Sequence, residues 1–152
     1  MSELTKVVLD AMGGDHSPGE MVLGAVNAVK EKKDLFVYIV GPEEKIKIEL
    51  AKYEYPKEQI EIVHAQDEIT CHDTPVNAIR SKKESSMVVG LHMVKEGKAD
   101  GIVSAGNSGA LLVGGQVLVG KMKGIERAPL SPIVPTVNGV SLLIDCGANV
   151  DA

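Results

Sequence analysis

Short runs rich in Val, Ile and Leu alternate along the chain with longer segments in which apolar and polar positions mix. The short runs fall at residues 6–10, 35–40, 59–64, 101–105 and 141–145. Their near-continuous apolar character is that of strands covered on both faces, as in a parallel sheet. Residues 20–32, 43–53, 75–96 and 108–123 lie between them and are long enough for crossover helices. Strand and helix in alternation predict a layered α/β fold with a mainly parallel sheet. Within the last helix, residues 110–119 are apolar on all sides and contain Gly114-Gly115. Such a helix is expected to be buried on every face, in a large core or at a subunit contact.

The strands end in a recurring chemistry. Three of them run into glycine mixed with Asp, Asn or Ser: DAMGGDHSP at 10–18, SAGNSG at 104–109 and DCGANVD at 145–151. In open α/β sheets ligands bind beyond the carboxyl ends of the strands, so the three loops are expected to share one cleft. In SAGNSG, free backbone N–H groups would meet the positive end of a helix dipole, an arrangement suited to phosphate or a developing oxyanion. Asn107 and Ser108 would add side-chain donors, while Gly106 and Gly109 would allow close approach. The plainer alternative is a turn in which Asn107 or Ser108 only caps the helix.

DAMGGDH leaves three readings open. Asp10, Asp15 and His16 could ligate a metal, although the spacing matches no hard-cation site. Gly13 and Gly14 could cradle a phosphate, although neither the dinucleotide nor the P-loop pattern is present. Asp15 could simply cap the following helix. A serine nucleophile is disfavoured: GNSGA departs from G-x-S-x-G at Ala110, and the last histidine, His92, precedes the serine.

Composition narrows the classes. The 152 residues carry a net charge of -5, with 44% hydrophobic and 24% charged positions, which is ordinary soluble usage and makes one domain the default. Phe36, Tyr38, Tyr53 and Tyr55 are the aromatics and Trp is absent. The core must therefore be aliphatic, and neither charge nor aromatics favour nucleic acid. Arg80, Lys82 and Lys83 form one basic cluster, and Lys121, Lys123 and Arg127 another. Each is either a solvated face or a local attractor for an anionic partner. No secretion signal is evident, since Glu3 interrupts the start. The longest weakly polar stretch, 109–120, is shorter than the roughly 20 residues of a spanning helix. A cytoplasmic protein is expected, with Cys71 and Cys146 as reduced thiols. The last strand runs into DCGANVDA with no helix after it. Residues 1–152 are therefore expected to be the N-terminal part of one α/β domain whose C-terminal part is absent here.

Taken together, five ordered blocks are specific. VVLDAMGGDHSP, DTPVNAIRSKKESSM, DGIVSAGNSGALL, GIERAPLSPIVPT and LLIDCGANVDA resemble the bacterial phosphate acyltransferases of phospholipid synthesis, the PlsX family. Two departures are Ser108, where Thr is expected, and the order Ala128-Pro129. The resemblance implies a three-layer αβα fold like that of isocitrate and isopropylmalate dehydrogenases, related to phosphate acetyltransferases, in a homodimer of roughly twice this length per subunit. It implies transfer of a long-chain acyl group from acyl carrier protein to inorganic phosphate, without cofactor or metal. The acyl phosphate would then feed glycerol-3-phosphate acylation at the membrane, with peripheral association at its inner face.

On that reading Ser104, Asn107 and Ser108 are the catalytic candidates. Asp10, Gly13, Gly14, Asp15, His16, Gly106, Gly109, Asp145 and Asn149 would bind substrate, and the two basic clusters would receive the acidic carrier. A coenzyme A-dependent phosphate acetyltransferase, a nucleotide-dependent dehydrogenase and a noncatalytic binding module remain as alternatives.

Overall fold

The computed structural model describes residues 4–126 and 128–146. Its centre is a four-stranded sheet in the order β3-β2-β1-β4, formed by β1 (Thr5–Asp10), β2 (Leu35–Gly41), β3 (Ile60–His64) and β4 (Gly101–Val103). Every pairing in it is parallel. Because side chains alternate across a strand, neighbouring residues of β1 and β2 enter different cores. Leu9, Val37 and Ile39 join Val22, Val26 and Val29 of α1 (Gly19–Glu31) and Ile46 and Leu50 of α2 (Glu43–Leu50). Val8 and Val40 point the other way, toward Met93 of α4 (Ser86–Lys95). Beyond them Met87, Val88 and Leu91 of α4 meet Ile79 of α3 (Pro75–Ser81) and Ala110 of α5 (Ser108–Gly114). The α/β prediction is therefore met, with helices on both faces of a parallel sheet. The cores are aliphatic. Phe36 and Tyr38 meet edge-on at 4.9 Å on β2, and Tyr53 and Tyr55 pack against the α1–α2 side.

Three expectations need correction. The single helix predicted over 75–96 is two. At the break Ser85 is extended (φ -73°, ψ 149°), and its hydroxyl accepts the Val88 N–H at 3.4 Å. Capping chemistry overrides a continuous apolar period here.

The predicted buried strand at 141–145 is instead the end of an antiparallel hairpin, β5 (Ile133–Thr136) with β6 (Gly139–Leu142), whose residues are exposed. The strands are joined by the two-residue turn Val137-Asn138, followed by Gly139 at φ 143°, a tight turn that the apolar run obscured.

The helix starting at Ser108 runs through α5 and one wider π-type turn, Gly115–Val119. It is not buried all round: Ala110 and Gly114 are inside, while Val117 is 68% exposed. A Cβ on Gly114 would collide with Leu91 Cδ1 and lie 3.0 Å from Ile79 Cδ1, so glycine lets α5 sit tightly on α3 and α4. Among the described residues no helix is long and apolar enough to cross a membrane.

Candidate functional site

Strands β1 and β4 are parallel neighbours, which brings Asp10 and Ser104 together at the carboxyl edge. Asp10 is only 2% exposed. Its Oδ2 accepts the Ser104 hydroxyl at 2.7 Å, and its Oδ1 accepts the Ser86 hydroxyl at 2.5 Å and the Met12 N–H at 3.1 Å. Burying a carboxylate is costly unless hydrogen bonds replace water, and these donors come from three segments of the chain. Ser104 Oγ in turn accepts the Gly106 N–H at 3.1 Å.

The glycines of the two loops are needed for contact. A Cβ at Gly13 would lie 2.7 Å from Ser104 Oγ, 2.8 Å from Asp10 Oδ2 and 2.9 Å from the Gly106 nitrogen. One at Gly106 would lie 3.1 Å from Gly13 Cα. DAMGGD and SAGNSG therefore meet backbone to backbone. Gly14 takes φ +109°, a region closed to most side-chain-bearing residues.

A cavity of about 210 Å³ opens above this junction. One wall is Met12, Gly14, Asp15 and Ser17, the other is Glu68 to His72, and Gly106 lies between them. The second wall belongs to the loop after β3, which sequence reasoning left unassigned. Asn107 secures it. Asn107 caps α5 by accepting the Ala110 N–H at 2.9 Å, while its Nδ2 donates to the carbonyls of Thr70 (3.1 Å) and Asp73 (3.0 Å). Its side chain was expected to point donors at an anion, yet both amide hydrogens serve the loop. Ser108 is exposed at the first position of α5.

The same loop is closed by Asp73, which accepts from the Thr70 N–H (2.7 Å), the Thr70 hydroxyl (3.0 Å) and Lys82 Nζ (2.7 Å). The Lys82 ammonium, followed by these Thr70 donors, holds the Asp73 carboxyl at about 2, below its ordinary 3.8. A depressed folded-state value contributes stability above pH 3.8 that is lost as pH falls toward 2. Denaturant melts of the protein and of Asp73→Asn should therefore differ at pH 7 and converge between pH 4 and pH 2.

The other sequence candidates are distributed as follows. Asp15 and His16 are exposed. Asp15 does not cap α1, whose first turn has no side-chain cap. Among the described residues no group of His, Cys, Asp and Glu could hold a metal. Gly109 packs α5 onto α3, where an added Cβ would lie 2.8 Å from Pro75 Cγ.

Arg80, Lys83, Lys121 and Lys123 are exposed. Lys82 is half-buried and turned inward, also donating to the Glu68 carbonyl at 2.8 Å. The Asp145 N–H donates to the Leu130 carbonyl at 2.8 Å, beside the hairpin. Arg127 and Asn149 lie outside the described residues. Among the described residues the structure thus joins the DAMGGD and SAGNSG loops and adds the 67–74 loop and Ser86, while residues 147–151 of DCGANVD lie outside them. Ser85-Ser86, between KKE and MVV, carried a capping signal that an uninterrupted helical reading passes over.

Known proteins match this chain along nearly its whole length. The family described as "Fatty acid synthesis protein" matches residues 5–152. A phosphate acyltransferase of Alkaliphilus oremlandii is 56% identical over 146 residues, 96% of this chain and 43% of that protein. One of Clostridioides difficile is 52% identical over 147 residues, 96% of this chain and 43% of its own length. The chain thus spans less than half the length of these curated relatives.

Among solved structures, a phosphotransacetylase from Streptococcus pyogenes superposes with a TM-score of 0.66 at 20% identity, over 98% of this chain and 49% of that one. The EutD phosphotransacetylase from Staphylococcus aureus gives 0.61 at 18% identity, over 98% and 48%. These two share the fold. With a family match from residue 5 to residue 152 and phosphate acyltransferases about half identical to it, the chain belongs to the Fatty acid synthesis protein family.

Proposed function

We propose that this chain carries the phosphate-handling part of an acyltransferase that moves a long-chain fatty acyl group from acyl carrier protein to inorganic phosphate. The observation that carries the reading is the cavity over the Asp10–Ser104 junction, in a chain 56% identical to a phosphate acyltransferase. A phosphate oxygen attacks the thioester carbonyl, the C–S bond breaks, and the thiolate departs with the electron pair, leaving an acyl phosphate. A thiol of ordinary pKa about 8.5 needs little acid assistance to leave. Neither a serine nucleophile nor a metal is required, and the protein's task is to aim phosphate and stabilise the oxyanion. Two features support phosphate in the cleft. One is the 12–17 loop feeding the N-terminus of α1, which has no side-chain cap. The other is Gly106, which lines the cavity two residues before α5 begins.

On this reading Arg80, Lys83, Lys121 and Lys123 receive the acidic carrier, the protein acts as a homodimer in the cytoplasm, and it visits the inner membrane face to deliver its product. The test offers phosphate to the full-length enzyme that contains this segment, with either a long-chain acyl-carrier-protein thioester or acetyl coenzyme A. Phosphate-dependent formation of acyl phosphate from the carrier thioester is the expected result. Use of acetyl coenzyme A alone, or of neither donor, overturns it.

A further inference from the structure

Both walls of the cavity are attached to one short segment, 82–86, that lies outside it. Toward the first wall, the Ser86 hydroxyl reaches the Asp10 carboxylate at 2.5 Å, and Asp10 in turn holds the Met12 N–H. Toward the second wall, the Asp67 N–H donates to the Glu84 carbonyl at 3.2 Å and the Ser86 N–H to the Asp67 carbonyl at 3.1 Å. Lys82 Nζ adds bonds to the Glu68 carbonyl and the Asp73 carboxylate at 2.8 and 2.7 Å. Ser85 and Ser86 are essentially inaccessible, at 0% and 1% exposure, and Ser85 anchors the segment to α4 by capping it. The gap between the walls is therefore spanned by a hydrogen-bonded segment whose Ser85-Ser86 end is buried and fixed to a core helix.

We propose that the 82–86 segment is a brace that sets the width of the phosphate cleft, with Ser86 and Lys82 as positioning residues acting through Asp10 and the 67–74 loop. The inference rests on the phosphate reading of the cleft, and it moves Lys82 from carrier docking to cleft geometry. Preorganised sites lose affinity steeply when their walls drift, and a lost hydrogen bond to a buried charged group is a large perturbation.

The experiment uses Cys71, an exposed thiol on the second wall, as reporter in a Cys146→Ser background. Its rate of reaction with a small thiol reagent is followed as inorganic phosphate is added. Phosphate should slow labelling of the parent protein. The concentration giving half protection should rise about 5- to 50-fold in Ser86→Ala and in Asp73→Asn. Because both act on one gap, the double variant should fall short of the product of the two effects. Asp73→Asn keeps every basic residue, so a pure docking role for Lys82 predicts unchanged protection there.

If Ser86→Ala fails to fold, Asp73→Asn alone decides. Unchanged half-protection in folded variants overturns the brace. Absence of protection in the parent overturns the phosphate reading. The brace is then judged on labelling without phosphate, where equal rates in parent and variants overturn it.

Discussion

Gly13→Ala should abolish acyl transfer, with a loss of at least about 100-fold in kcat/KM. The added methyl would sit 2.7–2.9 Å from three atoms that hold the site together: Ser104 Oγ, Asp10 Oδ2 and the Gly106 nitrogen. None is the free end of a flexible side chain, because the first two are bonded to each other and the third is backbone. Relief requires the two loops to part, which separates the groups proposed to surround phosphate. Gly24→Ala is the matched control, since its methyl would meet nothing within 4 Å on the exposed side of α1. It should leave the kinetics unchanged and stabilise the helix by about 0.5–1 kcal/mol. Equal activity in Gly13→Ala and Gly24→Ala would show that the loop contact does not shape the site.

Asn107→Ala is expected to lower thermal stability markedly as well as activity. Three bonds vanish at a residue 8% exposed: the cap to Ala110 and the two that hold the carbonyls of Thr70 and Asp73. Loss of a cap with release of two part-buried carbonyls costs about 2–4 kcal/mol, a fall of about 5–15 °C in Tm for a chain of this size. The structure thus reverses the emphasis placed on Asn107 as a donor to substrate. Asn107→Asp isolates the cause: it keeps the cap but loses both donors to the loop, so it should retain part of the stability while still freeing the 67–74 wall. Scanning calorimetry on both variants is the check. An Asn107→Ala protein that melts with the parent would return the residue to direct substrate contact.

The contrast between these two loops shows what a sequence makes visible. The four sheet strands and α1 were legible because short runs rich in Val, Ile and Leu alternate with a longer segment of mixed apolar and polar positions. The Asp10 and Ser104 ends could be paired because parallel sheets place ligands at one edge. What stayed hidden is long-range polar bonding. Nothing local announces that Asn107 will hold residues 34 and 37 positions away, or that a serine at the head of an apolar run will reach Asp10 across 76. The bonds of Lys82 are hidden for the same reason: its partner Asp73 lies on another loop, while its neighbours Lys83 and Arg80 read as a surface patch. The hairpin was missed because a run of Val, Leu and Ile fits a buried strand and an exposed one equally, and only the tight Val137-Asn138 turn before Gly139 separates them.

The placement of the aromatic rings has a spectroscopic consequence. Phe36 and Tyr38 belong to β2, and Tyr53 and Tyr55 follow α2. None lines the cavity. Tyrosine emission and near-ultraviolet dichroism therefore report on the α4 side of β2 through Tyr38 and on the α1–α2 side through Tyr53 and Tyr55, and not on the residues that line the cleft. A ligand can enter between the 12–17 and 67–74 loops without altering either signal, so a flat optical titration is no evidence against binding. Conversely, a change in tyrosine signal on adding a ligand marks a rearrangement of the packing around these rings rather than occupancy of the site.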